Sequence, residues 1–136
     1  MENVITKDNF VKKFIDNFVP TISIKQLKRL KCYAPNYGYL WMVCEQNLVE
    51  NLKGNDAMIA YDNADKSGAV EFQYDNGFIG DEVSAPLSKE NDRSVKIKNN
   101  GLIEFYVIGR DFSWCYIVTH ELDGCGPYFI INKNNK

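Results

Sequence analysis

The stretch LIEFYVIGRDFSWCYIVT, residues 102–119, sets two runs of β-branched and aromatic side chains on either side of Gly109-Arg110-Asp111. Side chains of those types suit a pleated, packed surface, and each run has the length of a strand. The glycine-bearing tripeptide between them supplies a turn, so the segment predicts an antiparallel hairpin with arms at 102–108 and 112–119. Alternation along the second arm places Cys115 and Ile117 on one face and Trp114, Tyr116 and Val118 on the other. Whatever else the chain does, its fold has to accommodate this hairpin.

Residues 70–78 repeat the pattern. Val70, Phe72 and Tyr74 alternate with Glu71, Gln73 and Asp75, and the Asn76-Gly77 dipeptide that follows suits a type I′ turn into a strand starting at Phe78. A last short strand, Tyr128 to Ile131, follows Gly126-Pro127. The front of the chain has a helical period instead. After Thr6, a plausible N-cap, Phe10, Val11, Phe14, Ile15 and Phe18 form one apolar stripe that stops before Pro20. Ser23 with Gln26 forms a capping box for a short helix through Leu30, basic on its outer face. YGYLWMVCE, residues 37–45, reads as a buried strand or the start of a core segment. From Asn47 to Ala64 the pattern is helical with a break at Gly54, Asn55 serving as a cap and Met58, Ile59 and Tyr61 as the inner face. The polar stretch 84–100 reads as a long loop. The expectation is therefore an α+β domain spanning residues 1–136, with N-terminal helices packed on one face of a mostly antiparallel sheet built from C-terminal hairpins.

At 136 residues with 45% hydrophobic and 13% aromatic side chains, the chain can enclose one core without staples. It has no apolar run of the roughly 18 residues a membrane span needs and no leader pattern at the N-terminus, which predicts a cytoplasmic protein without membrane association. Cys32, Cys44, Cys115 and Cys125 are then expected as reduced thiols. Charge is uneven. Residues 45–92 carry eleven acidic and three basic side chains, whereas residues 1–44 carry three and seven. A pI near 5.4 argues against a nucleic-acid partner. The acidic middle suits a basic protein partner, for which Asp62, Asp65, Glu71, Asp75, Asp81 and Glu82 are the candidate contacts.

Chemistry is concentrated in THELDGCGPYF, residues 119–129. His120 follows the second hairpin arm, where a rigid scaffold can display a general base, with Glu121 or Asp123 to orient it and the 124–126 backbone to donate to an oxyanion. No serine, cysteine or second histidine stands at a motif spacing from it, so a His120 side chain bonding loop backbone is the preferred reading. Paired ligands at zinc spacing are missing, and no metal or cofactor is expected. Gly124, Gly126 and Pro127 precede a strand where a phosphate loop needs a helix, so they read as a turn. The aromatics of the strands, among them Phe72, Tyr106, Trp114, Tyr116 and Phe129, could stack on bases or sugars but suit a core better.

The segments YLWMVCE, EFYVIGRDFSWCYIVTHE and GPYF resemble an uncharacterised family of small bacterial proteins, a domain of unknown function. The matching positions are Leu40, Trp41, Phe112, Trp114, Tyr116, Thr119, His120, Glu121, Gly126, Pro127, Tyr128 and Phe129. In that family the Leu-Trp pair is often followed by a histidine and Phe-Ser, whereas this chain has Met42, Val43, Cys44 and Glu45. The departure removes a second histidine from any two-histidine site. The resemblance implies a bacterial, intracellular origin and brings no activity. Together these readings favour a non-enzymatic, cytosolic protein-binding module, toxin-neutralising and immunity-like or regulatory. The alternative is a small hydrolase or transferase with His120 as general base.

Overall fold

A computed structural model describes residues 10–29, 42–45, 47–75, 78–82, 103–118 and 127–132. Among these residues, four α-helices, α1 (Phe10–Phe18), α2 (Ile24–Arg29), α3 (Met42–Glu45) and α4 (Asn55–Asn63), accompany six strands. The strands are β1 (Leu52–Lys53), β2 (Val70–Asp75), β3 (Phe78–Glu82), β4 (Ile103–Ile108), β5 (Trp114–Val118) and β6 (Tyr128–Ile131). They form one antiparallel sheet in the order β1-β6-β5-β4-β2-β3. The α+β class stands, with helices towards the N-terminus and most strands towards the C-terminus.

Both predicted hairpins form. In the first, Asp75 pairs with Phe78, and the register slips between the Phe72 and Tyr74 pairs; Asn76-Gly77 lies outside the described residues. In the second, β4 and β5 pair from Phe105↔Val118 to Ile108↔Cys115. The predicted alternation holds along β5: Cys115 and Ile117 join one buried cluster, Trp114 and Tyr116 the other.

Helix α1 covers the first of these faces. Phe10, Phe14 and Phe18 recur every four residues and so lie on one side of the helix. Phe10 stacks on Phe72 of β2 at 4.7 Å between ring centroids and meets Tyr106 of β4 edge-on at 5.7 Å. The second face is covered as well, by α4. Tyr61 lies flat on Tyr116 with centroids 4.0 Å apart and meets Trp114 edge-on at 5.8 Å. Ala57 and Tyr61 are buried, whereas Met58 and Ile59, read from the sequence as inner-face residues, are exposed. The two alanines at positions 57 and 60 let the helix approach the sheet closely enough for Tyr61 to reach it. Gly54, with φ +59°, occupies the N-cap position that Asn55 was expected to hold, and no side chain caps it. Residues 42–45, part of the expected strand, form a single helical turn that buries Val43 and Cys44. Ser23 Oγ accepts from the Gln26 N–H at 3.1 Å, as the capping pattern predicts.

The β4–β5 turn differs in mechanism from its sequence reading. Gly109 has an ordinary φ of −69°, and the residues at positive φ are Asp111 and Phe112. Glycine is needed at 109 for space: a Cβ there would sit 2.5 Å from the Trp114 indole. Phe112 in the left-handed region costs roughly 1–2 kcal/mol. Its ring, buried and 5.9 Å from that of Phe18, more than offsets this. Asn132 pins the turn, donating from Nδ2 to the Phe112 carbonyl at 3.0 Å and from its backbone N–H to the Ser113 carbonyl at 3.0 Å.

Two outcomes follow. Gly109→Ala drives a methyl into an indole held between Tyr61 and Phe129 and lowers stability by about 1–3 kcal/mol. Gly54→Ala, where nothing lies within 4 Å of the added Cβ, costs about 1–3 kcal/mol from the backbone alone, because φ +59° with ψ −129° is a conformation essentially reserved for glycine; urea midpoints followed by tryptophan emission measure both. At residue 112 the usual order inverts. Phe112→Ala loses about 3–5 kcal/mol of packing, and Phe112→Gly loses no more than that because glycine relieves the left-handed backbone. A glycine variant clearly less stable than the alanine variant contradicts the strain assignment.

Candidate functional site

The six candidate acidic contacts do not share one surface. Asp62 on α4 and Asp65 just beyond it are exposed. Asp75, Asp81 and Glu82 belong to β2 and β3, at the far edge of the sheet from β1; β1 and β3 are five strand spacings apart, about 24 Å. Glu71 is corrected outright. It is 0% exposed, in the cross-strand row Glu71↔Val107↔Tyr116↔Phe129, which α4 covers at Tyr116. A side chain so enclosed cannot meet a docking protein.

Asp65 is held by its own loop. Its carboxyl accepts from the Ser67 N–H at 2.9 Å, and this bond, then the Ser67 hydroxyl, holds it below the usual carboxylate range, with a smaller attraction from Arg110. Lys66 turns inward: Nζ donates to the Tyr61 and Ala64 carbonyls at the end of α4 and stands 4.3 Å from the Tyr61 ring centroid. Lys53 donates to Asn47 Oδ1 at 3.2 Å. Glu50, Asp56, Asp62 and Asp65 are exposed, and Lys53 and Lys66 of the same stretch bond within the fold.

Apolar side chains share this region. Among the described residues, the exposed large hydrophobics are Leu52 (40%), Met58 (46%), Ile59 (54%) and Ile131 (56%), on β1, α4 and β6. These three elements pack on one another, and Gly54 N–H donating to the Pro127 carbonyl at 2.9 Å ties them at one end. Between residues 50–52 and β6 lies a notch of about 120 Å³ lined by Glu50, Asn51, Leu52, Phe129 and Ile131. The sequence reading missed it. Leu52 and Ile131 carry no motif and meet only through strand pairing at the sheet edge.

His120, Glu121 and Asp123 lie outside the described residues, as do Cys32, Cys125, Tyr37, Tyr39, Trp41 and the 84–100 stretch. Among the described aromatics of the strands, Phe72, Phe105, Tyr106, Trp114, Tyr116, Tyr128 and Phe129 are all buried, which removes them as a stacking platform. Among the described residues, no three His, Cys, Asp or Glu side chains gather as metal ligands, and no helix is long and apolar enough to cross a membrane.

Cys44 and Cys115 are buried thiols without a disulfide. Burial pushes the Cys115 thiol well above its ordinary range, and Cys44 adds to the shift. The folded state therefore keeps this proton while the unfolded chain releases it near pH 8.5. The stabilisation is complete below that pH and declines above it, by at most about 1.4 kcal/mol per pH unit. Denaturation between pH 7 and 10 is expected to show a steeper loss for the unmodified protein than for Cys115→Ala. Thiol reagents are expected to reach both cysteines only after unfolding.

No curated protein and no solved structure matches the chain. A family model described as Domain of unknown function (DUF4275) matches residues 4–129, taking in α1, both hairpins and the start of β6. The chain belongs to that family of domains of unknown function.

Proposed function

We propose that this protein is a non-enzymatic binding module that docks a basic partner protein on the side formed by β1, α4 and β6. The observation that carries the reading is that three elements packed on one another, β1, α4 and β6, hold the exposed apolar side chains Leu52, Met58, Ile59 and Ile131, while the chain just before β1, α4 itself and the turn after it expose Glu50, Asp56, Asp62 and Asp65. Protein interfaces combine an apolar centre with charges that steer the encounter. An acidic surface of this kind selects a basic partner and repels its own copies. The sharpest form of the proposal is a toxin-neutralising, immunity-like role in a bacterial cytoplasm; regulation of a basic protein is the broader form. Asp62 and Asp65 keep their place as contacts, joined by Glu50 and Asp56.

Affinity capture from a bacterial host lysate, at low and at physiological ionic strength, tests this. The unmodified chain is expected to retain a basic protein, less of it at higher salt. Asp62→Lys and Ile59→Asp, both at exposed positions that cost little stability, are expected to weaken capture by about tenfold or more. Lys25→Glu on α2 is expected to leave it unchanged. Capture indifferent to both α4 substitutions would rule out this face.

A further inference from the structure

The apolar face that α4 covers is larger than the helix. Its cross-strand rows run on to the open edge, from Tyr116 through Phe129 to Leu52 and from Trp114 to Ile131. Tyr61 covers Tyr116 and Trp114, and Leu52 and Ile131 remain exposed beyond it. Between them the notch opens, and its aromatic wall is rigid. Phe129 is 4% exposed and stacks on Trp114 at 5.5 Å with 19° between the rings, and Trp114 is itself braced by Tyr61. An aromatic wall of this kind loses little on binding, because the Phe129 ring is already packed in place. At about 120 Å³ it is near the size of the engineered cavity of about 150 Å³ that takes up benzene, and so it is sized for one large aliphatic or aromatic side chain.

The surrounding charge says what carries that side chain. Glu50 stands on the rim, and the neighbouring exposed carboxylates are Asp56 and Asp62. A segment bearing Lys or Arg next to the apolar residue is attracted, whereas an acidic segment or a second copy of this surface is repelled. Resting on the docking reading above, we propose that the notch formed by Leu52, Phe129 and Ile131 is the anchor pocket of that interface. It takes a single Leu-sized or Phe-sized side chain from a basic segment of the partner.

The test is an NMR titration of the full chain with labelled Ile and Leu methyl groups. The probes are three blocked tripeptides: acetyl-Lys-Leu-Lys-amide, acetyl-Lys-Ala-Lys-amide and acetyl-Glu-Leu-Glu-amide. The Lys-Leu-Lys probe is expected to move the Ile131 and Leu52 resonances saturably, with the Ala probe at least about tenfold weaker and the acidic probe several-fold weaker. Leu52→Trp, which fills the notch from an exposed position, is expected to abolish the shifts of Ile131. Equal binding of the Leu and Ala probes, shifts confined to Ile59, or no saturable shift at millimolar peptide overturns the proposal. So does concentration-dependent self-association through these residues without peptide. In the lysate experiment, partner capture lost with Asp62→Lys but intact with Leu52→Trp eliminates the anchor pocket and leaves the docking module standing. Failure of the unmodified chain to capture any partner removes the docking reading, and the peptide titration still decides the pocket.

Discussion

Every side chain of β5 from Trp114 to Ile117 is buried, odd and even positions alike. A central strand with no solvent side requires a cover on each face of the sheet, and the rest of the molecule answers that requirement. Helix α1 supplies the Phe10, Phe14 and Phe18 ridge on one side, and α4 supplies Tyr61 on the other. The two covers differ in kind. The first is a broad apolar stripe, and the second is one ring laid flat on Tyr116 with alanines beside it, which leaves the outer turns of α4 and the sheet corner uncovered.

The same demand explains the irregular backbone at the β4–β5 turn. The turn must deliver Trp114 into one core cluster and Phe112 into the other, two residues apart in sequence. It does so by placing Asp111 and Phe112 in the left-handed region and by stripping position 109 to a glycine over which the indole lies. Local strain of roughly 1–2 kcal/mol per residue is sustainable because burial of a phenylalanine is worth more. Asn132 then fastens the end of β6 to the turn, so the strand next to the notch is held at both ends: there by Asn132, and at Pro127 by Gly54.

The proposed docking site lies in what the covers leave open. Were α4 longer or more apolar on its inner face, Leu52 and Ile131 would be core residues. Instead they frame a recess with a buried aromatic wall, close to exposed carboxylates. An anchor pocket beside a charged rim places a directional, salt-sensitive attraction next to a site that rewards one well-fitting side chain, a division of labour common at specific protein interfaces.

Local chemistry alone determined the two hairpins, the α1 stripe, the Ser23 cap, β6 and the alternation along β5, because each depends on neighbours within a few residues. A resemblance to a family of unknown function was legible too, and a model of such a family matches residues 4–129. What only the tertiary structure decided are the features that distant segments impose. Glu71 alternates as a solvent-facing residue should, yet it is fully buried, in the same cross-strand row as Val107 and Tyr116. Met58 and Ile59 are the most apolar residues of α4, yet they point outward because only Ala57, Ala60 and Tyr61 fit the space above Tyr116. Gly109 reads as a turn glycine and is a spacer for an indole. The recess at Leu52, Phe129 and Ile131 has no counterpart in the sequence, since its walls are brought together by pairing between β1 and β6, which lie far apart in the chain.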